Sequence, residues 1–211
     1  MNQMYTPGER IADGIIHAVG ICTGFVAVIA MMAVAIPSLP LSSTASLAIY
    51  GAALLAMFGF SAAYNLLPAP NWKSTLRRLD QAAIFLKIAG TYTPFALIKM
   101  GGVAGYTLLG LVWAVALLGA AGKLLLKSSW DGVDIVLYLA LGWAGLVALQ
   151  PLSASVTPSV LTLLAIGGGL YSVGVIFHVW QNLKYQNAIW HAFVLAGTCC
   201  HFWAVTTAVF I

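Results

Sequence analysis

The sequence predicts an all-α, polytopic integral membrane protein, a seven-transmembrane helix bundle with a cytoplasmic N-terminus. Three observations carry that reading. Only 7% of the residues are charged and the mean hydropathy is +0.98, whereas a soluble domain carries about 25% charge. Seven apolar runs follow one another, each close to the roughly 20 residues that cross a bilayer as a helix. The cations are one-sided: Arg10, Lys73, Arg77, Arg78, Lys123, Lys127 and Lys184 fall before the first run or in alternate links, against Lys99 alone in the opposite links. By the positive-inside rule those seven mark the cytoplasm. All five carboxylates, Glu9, Asp13, Asp80, Asp131 and Asp134, lie on that same side.

The first run, 14–36, follows Glu9 and Asp13. These acids are wrong for the basic start of a secretory leader ending at Ala33-Val34-Ala35, and the run is too long for one, so the span is expected to be retained. Prolines 37 and 40 set off the second run, 45–67, and prolines 68 and 70 end it. The third, 81–99, holds Pro94, which lacks an amide hydrogen and is expected to kink the helix. Lys87, in its second turn, is expected to snorkel to the interface. The fourth, 104–122, begins beside Gly101 and Gly105, small residues that let helix backbones approach. Asp131 and Asp134 read as the loop and cap before the fifth run, 133–150. The sixth, 159–180, contains Gly167-Gly168-Gly169, and the seventh is 189–210. Trp72, Trp130, Trp180 and Trp190 stand at the cytoplasmic ends and read as an aromatic belt.

With 211 residues, seven spans leave no room for a separate soluble domain, so one domain, 1–211, is expected. The nine Lys and Arg are scattered among links, so the basic balance is a topology signal and no nucleic-acid partner is expected. No Walker, dinucleotide or nucleic-acid motif is present. Cys22, Cys199 and Cys200 lie in apolar runs, and adjacent cysteines do not close an ordinary disulfide; they read as packing residues.

Polar residues inside hydrocarbon are costly and tend to be functional. Here they form a layer at the cytoplasmic ends of the spans: Asp13 and His17 open span one, Asn65 closes span two, Asp80 opens span three, His178 closes span six, and Asn187 and His191 open span seven. His201 lies about 15 Å further along span seven at 1.5 Å per residue. Asp13 with His17, Ser61 with Asn65, and Asn187 with His191 are i, i+4 pairs, so each places two polar groups on one helix face. Such pairs can surround a metal ion, a harder cation or a polar head group. They can equally be hydrogen-bonded helix contacts, and Asp80 beside Arg77 and Arg78 also reads as an interfacial ion pair or a helix cap.

Ser61-Ala-Ala-Tyr-Asn65, Leu79-Asp80-Gln81, Ile88-Ala-Gly-Thr-Tyr-Thr-Pro-Phe95 and Asn187-Ala-Ile-Trp-His191 resemble, in order and spacing, the hemolysin III family, related to the progestin and adiponectin receptors. The resemblance spans nearly the whole chain. It implies a seven-helix bundle and, by source, a bacterial inner (plasma) membrane. It also implies a zinc ion held by a histidine of span two and two of span seven, with a serine and an aspartate around its water. Carried over by position, the ligands are Asn65, Asn187 and His191, assisted by Ser61 and Asp80, so two of the three ligands are amides. An amide oxygen is a weaker zinc donor than imidazole or carboxylate.

Three arrangements stay open: a hydrogen-bonded network without metal, a metal site rebuilt from Asp13, His17, Asp80 and His191 with or without His178, and a site for a harder cation or lipid head group. The matching functions are a receptor-like or lipid-responsive membrane protein with a degenerate zinc site, and a metal-dependent hydrolase of lipid amide or ester bonds. A pore-forming cytolysin is the third reading, carried by the family's name. The outward halves of the spans are almost wholly apolar, which argues against a fixed monomeric pore. Membrane lipids are the expected partners, as surroundings and as ligand or substrate.

Overall fold

The computed structural model describes residues 6–126 and 131–211 of the chain, with the side chain of Asp131 excepted. Among them, helices account for nearly everything and seven are long and apolar enough to cross a membrane. They are α1 (Pro7–Ser38), α2 (Leu41–Leu66), α3 (Lys73–Pro94), α4 (Gly102–Leu125), α5 (Asp131–Gly142) with α6 (Leu149–Ser155), α7 (Pro158–Val179) and α8 (Gln186–Phe210). Most spans begin or end a few residues beyond their apolar runs, because helical hydrogen bonding continues into the polar interface. Lys127 and Trp130 lie outside the described residues.

Local chemistry fixes the ends. Thr6 caps α1: its hydroxyl accepts from the Glu9 amide, and the Glu9 carboxylate accepts from the Thr6 amide at 2.8 Å, a reciprocal capping box followed by Pro7 at the first helical position. The second oxygen of Glu9 accepts from the Tyr185 amide at 2.9 Å. Tyr185 stands just before α8 with φ of 61°, in the left-handed region. One carboxylate thus sets the start of α1 against the start of α8.

Pro94 does not end the third span. The chain passes there into a π-helical turn, Phe95–Met100, closed by the Gly101 amide on the Ala96 carbonyl at 3.0 Å, so the missing amide hydrogen widens the helix. Gly101 and Gly102 then take φ of 57° and 53°, a reversal that residues with a Cβ rarely make. The fifth span is interrupted between α5 and α6 by a 3₁₀ segment, Ala144–Ala148. Tyr92 of α3 holds that break, donating to the Gly142 carbonyl at 2.7 Å and accepting from the Gly145 amide at 2.8 Å.

α2 packs between α1 and α3, α3 against α4, α7 against α8, and α8 returns to α1. One apolar core joins α1, α2 and α8 through Val28, Met31, Tyr50, Leu54 and Val205; a second joins α3, α4 and α5 through Phe85, Ala89, Val112, Ala116 and Leu141. The third span is the most enclosed, 61% buried over its apolar window, against 6% for the fifth. Between these elements lies a cavity of about 1660 Å³, reaching from Glu9 and Tyr185 inward to Leu152 and Leu164.

Several sequence expectations change. Lys87 does not snorkel: it is 3% exposed and donates to the Tyr171 hydroxyl at 2.6 Å, because its face of α3 turns toward α7. Asp80 lies in the second turn of α3 and is no cap. Asp134 is buried within α5 and pairs with Lys123 of α4. Trp72 and Trp180 are exposed as a belt requires, whereas Trp190 packs on His178 and over Gly174.

The glycine contacts are specific. A Cβ on Gly105 would stand 2.4 Å from the Ala96 carbonyl oxygen, a backbone atom that cannot swing aside, while one on Gly110 would meet nothing within 4 Å. Gly105→Ala is therefore expected to lower the melting temperature in detergent, through overpacking of about 1–3 kcal/mol. Gly110→Ala should leave it unchanged or raise it, since alanine has the better helix propensity. Equal melting temperatures for the two variants would show that α4 has room to move away from the π-helical turn Phe95–Met100.

Candidate functional site

Four helices bring their polar residues to one place near the cytoplasmic end of the cavity. Asp13 and His17 of α1 are 6% and 4% exposed. Their i, i+4 spacing puts both on the face turned to α8 and α2. His191 of α8 places Nδ1 2.6 Å from Asp13 Oδ1, and Asn187, one turn earlier, donates its amide to Asp13 Oδ2 at 3.0 Å. The same amide nitrogen lies 3.1 Å from Asn65 Oδ1 of α2, and Asn65 donates to the Ser61 carbonyl at 2.9 Å. Asn65 and Asn187 are thus joined to each other and to the frame around Asp13.

Hydrogen accounting is informative at the centre. His17 Nδ1 is 2.8 Å from the Asp13 carbonyl oxygen, which can only accept, so this nitrogen carries the proton and Nε2 of the neutral ring is a lone pair. His191 Nδ1 faces a carboxylate, and the same assignment follows. Both Nε2 atoms approach one hydroxyl, Ser61 Oγ, at 3.2 and 3.4 Å. Asp80 of α3 hydrogen-bonds that hydroxyl as well, with Arg77 and His191 in its field. Two lone pairs and a carboxylate therefore surround a group with one proton to give. The arrangement has room in its chemistry for one more cation, whether a proton or a metal ion.

The residues fit a metal. Asp13, His17 and His191 each offer a donor atom, all within 4.8 Å of one another. Two imidazoles and one carboxylate are the donors of many catalytic zinc sites, which leave a fourth position open. His17 is steered from behind by the Asp13 carbonyl, the usual support of a ligating histidine, whereas the carboxylate on His191 Nδ1 is Asp13 itself, which is also one of the three donors. The two imidazoles meet edge to face with centroids 4.3 Å apart.

His178 lies elsewhere on the cavity rim: its ring packs on Trp190 at 5.0 Å and its carbonyl accepts from Gln186. Two features were not anticipated from sequence. Glu9 ties α1 to α8, for which the capping pattern Thr6-x-x-Glu9 was a visible signal. Lys87, Tyr171 and Thr198 form a hydrogen-bonded chain deeper in the cavity, and its one sequence signal was a lysine within an apolar run.

Comparisons with known proteins agree with this architecture. The family model described as Haemolysin-III related matches residues 8–202. A hemolysin-3 homolog of Bacillus subtilis is 35% identical over 96% of this chain and 95% of its own. A hemolysin-3 of Bacillus cereus is 36% identical over 93% of this chain and 90% of its own. The human monocyte to macrophage differentiation factor is 29% identical over 74% of this chain and 67% of its own. No solved structure matches the chain. The seven-span bundle, the motifs along α2, α3 and α8 and these alignments together show that the chain belongs to the haemolysin-III-related family of membrane proteins.

Proposed function

We propose that the chain is a metal-dependent membrane hydrolase of lipid amide or ester bonds, its metal site rebuilt around α1. The observation that supports this reading is the meeting of Asp13, His17 and His191 in the wall of a cavity large enough for a lipid chain. Zinc, when bound, supplies a Lewis acid that polarises a carbonyl and activates water toward it. The chain's own groups do the rest. Asp13 holds His191 in one tautomer and orientation. Asp80 and Ser61 form a proton-handling pair beside the imidazoles, placed to take a proton from attacking water and return it to the departing amine or alcohol. The apolar walls receive the acyl chain and keep bulk water away.

A second reading, a lipid-responsive protein without catalysis, is supported by a different observation. The Asp13 carboxylate is already bonded by His191 and Asn187, so a head group that competes for those donors would alter the seam between α1 and α8. In that case ligand binding and helix packing share one carboxylate.

Elemental analysis of detergent-purified protein separates the two. The hydrolase reading expects near-stoichiometric zinc, falling by at least about tenfold in His17→Ala and in His191→Ala. Absence of metal after purification with added zinc would transfer the site to the lipid-responsive reading.

Fatty-acid release from ceramide and phospholipid vesicles supplies the second test. Asp80→Asn is expected to keep its zinc and lose roughly 100-fold or more in rate, the scale of a general acid–base contribution. Unchanged release in that variant would remove Asp80 from the chemistry.

A further inference from the structure

The cavity holds a second polar station that the proposed hydrolysis does not use. Lys87 stands fourteen residues after Lys73 and twelve before Lys99, about 20 Å along its helix at 1.5 Å per residue and so near the middle of the third span. It is 3% exposed, yet its side chain lines the cavity. An ammonium group has three N–H donors and no acceptor. One donor is spent on the Tyr171 hydroxyl at 2.6 Å. Tyr171 passes its own proton to Thr198 Oγ1 at 2.6 Å, and Thr198 donates to the Val194 carbonyl at 2.8 Å. This chain is saturated downstream, and beyond the hydroxyl it offers Lys87 only the Tyr171 ring, whose centroid lies 4.6 Å from Nζ. No acidic side chain among the described residues pairs with the amine.

A second buried atom nearby is also unspent. His201 directs Nε2 to the Leu164 carbonyl at 3.3 Å, so Nδ1 is a lone pair; it is buried and has no partner. The ring packs against Tyr171 with centroids 5.4 Å apart and lines the same cavity. Gly167 is what admits it: a Cβ there would stand 2.3 Å from the imidazole. A buried ammonium group with open donors in hydrocarbon is costly unless something supplies acceptors for them; the His201 lone pair is itself an acceptor and marks only how polar this part of the cavity is.

We infer that Lys87, beside Tyr171, is a subsite for the carboxyl group of a single-chain amphiphile, a long-chain fatty acid by chemical class. The carboxyl group accepts from the open N–H donors of Lys87, and its charge matches that one amine. A phosphate head group would bring more charge and more acceptors than one amine satisfies. The chain is lodged by Phe95, Leu108, Leu152, Leu161, Leu164 and Leu195, which line the cavity. The subsite requires no metal and stands or falls apart from the hydrolysis proposed above.

Equilibrium binding of radiolabelled palmitate to the full chain in detergent, with a chelator present throughout, tests this. The expected result is saturable binding that unlabelled palmitate displaces at least tenfold better than methyl palmitate or hexadecanol, and that acetate does not displace. Lys87→Met, checked for an unchanged elution profile, should weaken binding at least tenfold, with Tyr171→Phe intermediate. Equal displacement by the acid, the ester and the alcohol would overturn the inference, and that comparison uses the unaltered protein, so it holds even if Lys87→Met does not fold. Full palmitate affinity in a folded Lys87→Met protein would overturn it too. Binding that needs zinc would place the carboxyl group at the Asp13 cluster and sink the Lys87 subsite.

Discussion

The buried carboxylate of Asp13 is the constraint on which the cytoplasmic half of the bundle depends. Desolvating a carboxylate is expensive, and removing one partner of a buried charged pair costs about 3–5 kcal/mol. Asp13 recovers that cost only because His191 and Asn187 reach it from α8 while His17 shares its own helix. Helices in lipid have no hydrophobic drive toward one another, so a directional bond of this kind sets rotation and depth together. The Glu9 bond to the Tyr185 amide, one turn before Asp13, repeats the constraint at the interface. Together they close the bundle, joining its first and last spans.

That closure explains why the asparagines do not leave the site disordered. Amides at positions 65 and 187 are poor zinc donors, yet they suit the task they have here. Asn187 bridges Asp13 and Asn65, and Asn65 returns to the α2 backbone at Ser61. Asn187 satisfies two acceptors, and Asn65 a donor and an acceptor, in a place where an unsatisfied one is costly. On the proposed metal reading the burden of cation chemistry falls on α1, where Asp13 and His17 supply a carboxylate and an imidazole at helical spacing. On that reading the donor set is drawn from α1 and α8 around the same His191.

Much of this was legible in the sequence, for definable reasons. Span number, orientation and the depth of each polar residue follow from apolar run length and from one-sided lysines and arginines, both set by the bilayer. The i, i+4 pairs showed that Asp13 with His17 and Asn187 with His191 share faces. Rotation of one helix about its axis relative to the next was not legible, since every helix here is apolar nearly all round and no polar stripe marks the inner face. Lys87 was misread for that reason: depth alone is compatible with an outward or an inward side chain, and its contact with Tyr171 decides. His178 and His191 lie at similar depth, yet one faces Trp190 and the other Asp13. Asp134 was misplaced because its partner, Lys123, is eleven residues away on another helix, a relation that no local pattern encodes.

The two polar stations also constrain what the cavity can hold at once. His191 and Thr198 lie seven residues apart on α8, so the Asp13 cluster and the Lys87 chain are separated by roughly 10 Å along the helix axis. An acyl chain anchored at the cluster and running straight inward would pass the amine and leave its open donors against methylenes, at a cost on the order of an unmade buried hydrogen bond, about 1–3 kcal/mol. A chain that turns toward the fifth span avoids this. That span is the least buried of the seven and is broken where Tyr92 grips it, so the cavity wall on that side is the one with fewest contacts to lose. If both proposals hold, an anchored lipid would be directed toward α5 and α6 while a carboxyl-bearing amphiphile is held deeper by Lys87, with the break in the fifth span between the two paths.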